Sequence, residues 1–526
     1  MIVDARTVPA GTVVEAEICI IGAGAAGITL AREFAGAPFR VVLLESGGLE
    51  YEQETEDLYA GRSIGTLFPD PTVCRLRYFG GTTNHWGGWC LPLDPIDFEA
   101  RNELHLPGWP FPRTALDPFY RRAQEVCQIG PYDYTPAGWG IKESEIPAPF
   151  GGPELKCWVL QQSPTHFGPV YLEELRRAPR VTVYLHANAL ALDAGDDRSE
   201  LREVTVGTLS GVRFLVRARY YVLACGGIEN ARLLLLSGGE GGHALGNDHD
   251  LVGRHFMVHL LFSGGRIALS DPYTDFSFYT GRGGTIYPGF GGKYSFVSFV
   301  GLSEAAMRRR TLPGIKFMWL YRFAPVLGAV EALRRLTNGE PKNGSRWADL
   351  GKVLGQLYGV GDFLVRKALF HEGVPVEGLD FNCSLEQLPN PDSRILLDTE
   401  RDALGLRKSL IDWRVDADDK RNALASLRLV GAELGRTGFG RLRSALVDDD
   451  TTWPDDFTGN EHHMGTTRMH PDPKFGVVDA DCQVHGIANF YVAGSSVFPS
   501  GGTNNPTLTI VALALRLADR LKERLA

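Results

Sequence analysis

The feature that most constrains the fold of this chain is a glycine turn set between two apolar strands near the N-terminus. Residues 17–21 (Glu-Ile-Cys-Ile-Ile) predict a strand, and the turn Gly22-Ala-Gly-Ala-Ala-Gly27 leads into a helical pattern over 28–34. Residues 40–44 predict the next strand, and Glu45 stands at its end. A strand, a turn of this pattern, a helix and a strand that ends in an acidic residue are typical of a dinucleotide-binding domain.

The residue types in this turn suit a pyrophosphate. Glycine permits a tight turn and a close approach of the backbone, and the N-terminus of the following helix offers free N–H groups and a partial positive charge. Glu45 is expected to accept hydrogen bonds from the ribose hydroxyls. The alternative is a structural turn without a ligand. The predicted nucleotide contacts are Gly22, Ala23, Gly24, Ala25, Ala26, Gly27, Glu45 and Ser46.

A second glycine-rich loop spans residues 78–89 (Tyr-Phe-Gly-Gly-Thr-Thr-Asn-His-Trp-Gly-Gly-Trp). Its four glycines and two threonines surround His85 and Trp86, and such a loop can bring backbone against a flat ring system. The alternative is a surface turn in which His85 and Trp86 cover the edge of a core.

Two polar residues near the C-terminus are candidates for catalysis. His462 has an ordinary pKa near neutrality and suits the task of taking a proton from an alcohol, and Asn505 can accept and donate hydrogen bonds to the same hydroxyl. The alternative for His462 is a hydrogen-bonded core histidine. His463 is expected to point the other way and make structural hydrogen bonds, and Asn504 is expected to support its turn. Combined with the glycine turn at residues 22–27, this pair suggests redox chemistry on an alcohol.

The rest of the chain divides into two patterns. Apolar and polar residues alternate over 181–192 and 202–223, which predicts strands. Residues 224–236 predict the end of a strand, a pair of glycines and a helix, and this segment is expected to return the chain to the nucleotide domain. Another strand enters a glycine turn at 489–496, and an amphipathic helix follows at 508–521.

Between about 255 and 450 the pattern indicates a different sheet. Strands are predicted at 290–299 and 381–386, and a helix near 416–436. Residues 325–372 are predicted to be mostly helical. A packed insert is the favoured interpretation of this stretch, with a membrane-binding or partner-docking helix as the alternative.

Charge and cysteine spacing exclude several functions. The net charge is −9 without a basic stripe, so nucleic acid is not a predicted partner. The eight cysteines are scattered without metal-ligand spacing, which predicts reduced thiols and no metal site. The N-terminus has no export signal pattern, and a cytoplasmic protein is predicted.

Taken together, the motifs resemble the glucose-methanol-choline (GMC) oxidoreductase family of flavoproteins. They occur in family order over nearly the whole chain. The matching segments are Gly22 to Gly27 with Glu45, Gly80-Gly-Thr-Thr-Asn-His-Trp86, Leu223-Ala-Cys-Gly-Gly-Ile-Glu-Asn-Ala-Arg, His462-x-x-Gly-Thr, and Val492-Ala-Gly-Ser-Ser with Asn505-Pro-Thr.

The resemblance implies bound FAD and an α/β fold. It implies a doubly wound, Rossmann-like FAD-binding domain assembled from discontinuous segments, and an α+β substrate domain with an antiparallel sheet. The predicted FAD domain comprises residues 1–100, 155–255 and 455–526. The predicted substrate domain comprises 101–154 and 256–454, with 325–372 as its helical insert.

The resemblance also assigns roles to residues. His462 would face the flavin and take the alcohol proton, with Asn505 as its partner, where relatives often have a second histidine. The further contacts it implies with FAD are Gly80, Gly81, Thr82, Asn84, His85, Trp86, Gly87, Gly226, Gly494, Ser495, Asn505, Pro506 and Thr507.

Within the family, the Thr-Asn-His-Trp loop is similar to that of pyranose oxidases and of the large subunits of bacterial sugar dehydrogenases. This implies oxidation of a carbohydrate or glycoside hydroxyl, of pyranose, C-glycoside or aminoglycoside type, to a ketone or aldehyde. In fungal pyranose oxidases the histidine matching His85 carries the flavin covalently. Here Gly87 stands where those enzymes have threonine, so non-covalent FAD is favoured over a bond to His85.

Three further points stay open at the level of sequence. The electron acceptor is oxygen or another acceptor, and the chain acts alone, as a homo-oligomer or with an electron-accepting partner subunit. The alternative substrates are non-sugar alcohols such as a sterol, choline or an aryl alcohol. The alternative reaction is that of a flavin-containing lyase of the same fold.

Overall fold

The computed structural model describes residues 1–195, 197–237, 244–274, 287–289, 294–323, 326–338, 346–370 and 375–526. Its strands are β1 (Ile2–Asp4), β2 (Val13–Ile21), β3 (Val41–Leu44), β4 (Arg62–Gly65), β5 (Trp89–Cys90), β6 (Leu155–Gln162), β7 (Val181–Leu185), β8 (Asn188–Asp193), β9 (Glu203–Gly207), β10 (Arg213–Leu223), β11 (His259–Leu269), β12 (Tyr287–Gly289), β13 (Tyr294–Leu302), β14 (Ile315–Phe323), β15 (Val376–Glu386), β16 (Arg394–Arg401), β17 (Arg407–Trp413), β18 (Gly440–Arg443), β19 (Thr458–Gly459) and β20 (Phe490–Val492).

The α-helices alternate with these strands along the chain. They are α1 (Ala25–Glu33), α2 (Gln53–Glu56), α3 (Asp117–Val126), α4 (Phe167–Arg177), α5 (Gly226–Leu236), α6 (Glu304–Arg310), α7 (Val326–Asn338), α8 (Arg346–Gly355), α9 (Leu357–Phe370), α10 (Ala417–Arg436), α11 (Ala445–Asp448) and α12 (Thr507–Leu525).

The first sheet contains the predicted nucleotide-binding unit. Its order is β1-β7-β3-β2-β10-β9-β8, with β20 also paired to β10. The pairs from β1 through β10 and the β10–β20 pair are parallel, whereas β9 and β8 are antiparallel additions. After β3 the chain therefore returns to this sheet twice, at β7–β10 and at β20, which confirms the α/β fold built from separated segments.

The apolar runs of this sheet are buried because helices cover it. Residues 18–21 of β2 and 41–44 of β3 are buried, as expected for parallel strands with both faces covered. Helix α1 packs against α12 and α4, and all three are amphipathic. The C-terminal helix is thus part of the nucleotide-binding layer.

The second sheet is antiparallel, which confirms the other part of the fold prediction. Its order is β18-β11-β15-β14-β13-β6-β5, with β12 on β13 and β19 on β11. Strands β5 and β6 pair here although they lie in the ranges assigned to the FAD domain. The predicted domain boundaries remain a proposal. Of the predicted strand at 290–299, residues 290–293 lie outside the described residues, and β13 begins at Tyr294.

The predicted insert at 325–372 contains helices α7, α8 and α9. They pack on one another and bury Ala329, Ala332, Val360 and Phe363. Several large apolar side chains lie on their outer surface, namely Trp347, Leu354, Leu357, Tyr358, Leu364 and Val365. Within the described part of the chain, every helix is too short or too polar to cross a bilayer.

Candidate functional site

A cavity of about 900 Å³ lies where the two large sheets meet. This volume is at the upper end of the range of ~300–1,000 Å³ for small-molecule sites. The predicted residues on its wall are Gly22, Ala23, Gly24, Ala25, Ala26, Glu45, Ser46, Gly81, Thr82, His85, Trp86, Gly87, Gly226, His462, Gly494, Ser495, Asn505, Pro506 and Thr507. Segments from both ends of the chain therefore meet around one space.

The glycine turn is shaped by close backbone contacts. Gly22 has φ +103°, and a Cβ added there would lie 2.7 Å from the carbonyl oxygen of Ala224. A Cβ on Gly27 would lie 1.9 Å from the carbonyl oxygen of Gly22, so Gly27 supports the turn from behind the cavity wall. At Gly24, which precedes α1 and provides no side-chain cap, an added Cβ would meet nothing within 4 Å. The first-turn N–H groups of α1 are thus left for a ligand.

Glu45 is held in place at the end of β3. Its Oε2 accepts a hydrogen bond from the amide of Ala23 (2.9 Å), and its Oε1 accepts one from the amide of Gly47 (3.0 Å). The carboxylate is buried and lines the cavity. It is fixed beside the glycine turn, where it can accept further hydrogen bonds from a diol.

In the second glycine-rich loop, the residues that hold the loop in shape are not the residues that face the cavity. Gly80 and Asn84 lie behind the wall: the Asn84 side chain donates to the carbonyl of Phe79 (2.9 Å), and a Cβ on Gly80 would lie 2.5 Å from Asn84 Oδ1. Trp86 lies on the wall and donates from Nε1 to the carbonyl of Thr165 (2.9 Å). His85 is exposed on the wall, and partial burial lowers its pKa.

The fold places His462 opposite a second histidine, His259. Strand β19 pairs antiparallel with β11, and a bridge joins Met257 to Met464, so the segment holding His462 runs beside the start of β11. The Nδ1 atoms of His259 and His462 are 2.9 Å apart, and His259 Nε2 is 2.9 Å from the carbonyl oxygen of Gly502.

These two contacts determine the tautomer of His462. A carbonyl oxygen only accepts, so His259 Nε2 must carry the proton that is donated to Gly502. In neutral His259, Nδ1 is then an acceptor, and His462 Nδ1 must donate to it. The Nε2 of His462 therefore keeps its lone pair. That atom is the available base.

Asn505 continues the same chain of hydrogen bonds. Its Nδ2 lies 3.3 Å from His462 Nε2, and its Oδ1 accepts a 2.6 Å hydrogen bond from the Nζ of Lys316. Because Oδ1 is occupied by Lys316, the amide nitrogen is directed to His462. The donors run in one direction, from Lys316 through Asn505, His462 and His259 to Gly502.

The electrostatics keep both histidines neutral. Burial, followed by the charges of His259 and Lys316, lowers the pKa of His462 well below its ordinary value. Burial, with a further contribution from Lys316, lowers the pKa of His259 to about 3. Near pH 7 both rings are uncharged, as the hydrogen-bond chain requires.

The neighbours of His462 and Asn505 point elsewhere. The ring of His463 packs against Phe68 and Phe256, and its Nε2 finds no hydrogen-bond partner among the described residues. Aromatic packing holds the ring of His463, and its backbone carbonyl accepts a structural hydrogen bond from the Ser495 hydroxyl (2.6 Å). Asn504 donates to the carbonyl of Pro92 (2.8 Å), as expected for a residue that supports its turn.

Two residues of the site, His259 and Lys316, were not predicted from the sequence. Each occurs singly in a strand and belongs to no motif. Lys316 follows Ile315 and precedes Phe317, a pattern that in a strand predicts a lysine pointing to solvent. Only the position of β14 against the cavity shows that the Lys316 side chain points into the cavity and not to solvent.

Comparison with known proteins agrees with this geometry. The family model described as GMC oxidoreductase matches residues 389–514, which include His462 and Asn505. The 6'''-hydroxyparomomycin C oxidase of Streptomyces lividus is 26% identical, over 97% of this chain and 92% of that protein. The large subunit of fructose dehydrogenase from Gluconobacter japonicus is 22% identical, over 96% and 97%.

Residues 389–514 of this chain are thus similar to the C-terminal part of the GMC oxidoreductases. Among solved structures, the pyridoxine 4-oxidase from Mesorbium loti superimposes with a TM-score of 0.55 at 17% identity, over 96% of this chain and 99% of that one. The protein is an FAD-dependent oxidoreductase acting on CH–OH groups. The open backbone at Gly24, the fixed carboxylate of Glu45 and the free Nε2 of His462 on one cavity fit that cofactor and reaction.

The glycine turn provides a test of the FAD site. We expect Gly27→Ala to yield protein with less than about a tenth of the wild-type flavin content, because its methyl group would overlap the Gly22 carbonyl. Gly36→Ala is the matched control, since a Cβ there meets nothing within 4 Å. Flavin absorbance per protein, with circular dichroism to check folding, is the measurement. A folded Gly27→Ala protein with full flavin content would contradict the assigned site.

Proposed function

We propose that this FAD-dependent oxidoreductase oxidises a hydroxyl of a carbohydrate or glycoside to a ketone or aldehyde, with His462 as the base and non-covalent FAD as the hydride acceptor. The observation that carries the proposal is the unprotonated Nε2 of His462, on the cavity wall shared with the glycine turn.

The proton is removed by this lone pair. An alcohol releases hydride readily only when its oxygen becomes alkoxide-like, so a base must lie within about 3 Å of the hydroxyl. His462 Nε2 accepts the proton, while the Nδ1–H of the same ring donates to His259 Nδ1 (2.9 Å) and so holds the ring in place.

Asn505 orients the hydroxyl. Its Nδ2 lies 3.3 Å from His462 Nε2, so a hydroxyl oxygen in contact with both atoms can receive a hydrogen bond from the second N–H of Asn505 and donate its own proton to His462. Bound FAD would supply the acceptor for the hydride that leaves the carbinol carbon. The chain's own residues thus fix the oxygen and take the proton.

Hydrogen-bonding groups on strands β13 and β15 support a polyhydroxylated substrate. The buried hydroxyls of Ser298 and Ser384 line the cavity and find no partner among the described residues. A buried hydroxyl without a partner is unfavourable, so a ligand that supplies several hydroxyl groups would stabilise this wall. Fructose, the substrate in the name of one of the two relatives, also carries several hydroxyls.

An anaerobic titration tests the proposed function. We expect the visible flavin absorbance of the purified protein to bleach when a monosaccharide or glycoside is added, and to return with oxygen or another electron acceptor. Simple alcohols, choline and an aryl alcohol are the matched comparisons. Bleaching by one of these and by no sugar would contradict the carbohydrate assignment, and product formation without any bleaching would indicate a lyase.

A further inference from the structure

The residue that the reaction above leaves without a chemical role is Lys316. It lies on β14, its side chain lines the cavity, and only 5% of the residue is exposed. Its Nζ donates to Asn505 Oδ1 (2.6 Å) and lies 5.5 Å from the ring centre of Phe299. Among the described residues it forms no ion pair with a carboxylate.

A buried ammonium group without a counter-charge is unusual, because burial disfavours the charged form. Burial lowers the pKa of Lys316 to about 7. The groups in contact with its Nζ are the Asn505 amide oxygen and the face of Phe299, and Ser384, whose hydroxyl has no partner among the described residues, is the residue opposite it on strand β15. Below about pH 7 the cavity therefore has a positive charge that a ligand can complement.

We propose that Lys316 selects the substrate by charge: it favours neutral or anionic hydroxyl compounds, such as sugars and sugar acids, over cationic ones, and it orients Asn505 through the amide oxygen. The inference rests on the proposed function, since it concerns the same cavity. It narrows the substrate class away from amino sugars and choline.

The magnitude follows from Coulomb's law. Two like charges several ångströms apart, at an effective dielectric constant of about 20, interact strongly enough to change affinity by roughly tenfold to a hundredfold. The same factor favours an anion. Ligands that match in shape and differ only in charge should therefore bind with affinities that follow their charge, with the anion tightest and the cation weakest.

Acetate, acetamide and acetamidinium form such a set, because they share shape and differ in charge. We expect the wild-type holoenzyme at about pH 6, where Lys316 is charged, to bind acetate at least about tenfold more tightly than acetamidinium, with acetamide between them. In Lys316→Met the three affinities should agree within about threefold. Binding is measured by perturbation of the flavin spectrum.

Lys156→Met is the matched control. Lys156 lies on β6 with its Nζ over the ring of Trp158 (4.8 Å) and outside the cavity wall, so its removal should leave the charge order unchanged. Lys316→Met should fold, because methionine fills a similar volume and removes a buried charge. Lys316→Gln is the second variant, and it should also lose the charge order.

A double-mutant cycle tests the orienting role. Lys316→Met should slow flavin reduction by a neutral substrate in the wild-type background, and should slow it little further in Asn505→Ala. Equal losses in both backgrounds would overturn the orienting role. Equal binding of acetate and acetamidinium by wild type, or an unchanged order in Lys316→Met, would overturn the charge selection. Failure of the proposed function would appear separately, as a flavin that no hydroxyl compound reduces, and the charge series would still be readable.

Discussion

Replacing His462 with alanine is expected to slow the anaerobic reduction of the flavin by a factor of roughly 10² to 10⁴, the usual contribution of a positioned general base. In the proposed mechanism the base is the unprotonated Nε2 of His462, which faces Asn505. Stopped-flow absorbance with a saturating substrate gives the rate.

His485→Gln is the control for this experiment. Its ring nitrogen contacts the carbonyl of His470 (2.9 Å), away from the cavity wall, and the substitution should leave the rate within about twofold of wild type. A His462→Ala protein that keeps its flavin and reduces it within about threefold of the wild-type rate would refute the assignment of the base.

The pH dependence should follow from the same site. Burial lowers the pKa of His462 well below its ordinary value of 6.5, so the base stays unprotonated as the pH falls from about 8 to that value. We expect the acidic decline in kcat/KM to begin below pH 6.5. A decline centred near pH 7 that persists in Lys316→Met, which removes the other group with a pKa of about 7, would show that His462 titrates like an exposed histidine.

The second large effect is expected at His259, which does not touch the substrate. In His259→Phe the ring volume is kept, but the acceptor for His462 Nδ1–H is lost, and His462 can carry its proton on Nε2 instead. We expect flavin reduction to slow by roughly 10 to 10².

His259→Asn distinguishes tautomer control from packing. The Oδ1 of asparagine lies near the position of histidine Nδ1 and can accept the same hydrogen bond, so this variant should recover much of the lost rate although it is smaller. If His259→Asn is slower than His259→Phe, cavity packing and not the tautomer is the role of His259.

The resemblance in the sequence identified much of this enzyme. The motifs that carry this resemblance are short runs of neighbouring residues, so they can be read directly from the sequence. They are the turn at Gly22 to Gly27, the loop around His85 and Trp86, and the segments that hold His462 and Asn505. The helices over 325–372 and the strands around 181–223 also followed from periodicity, because 3.6- and 2-residue repeats depend on near neighbours only.

The sequence by itself therefore determined the α/β fold and the FAD-dependent oxidoreductase class, and it predicted His462 and Asn505 as candidates for catalysis. Only the tertiary structure decided which atom of His462 keeps a lone pair and what charge lines the cavity. Those properties come from His259 and Lys316, which lie 203 and 189 positions from the residues they contact. Contacts between residues so far apart in the chain depend on the pairing of strands β11 and β19 and on the position of β14 at the cavity. The spacing of neighbouring residues in the sequence does not predict them.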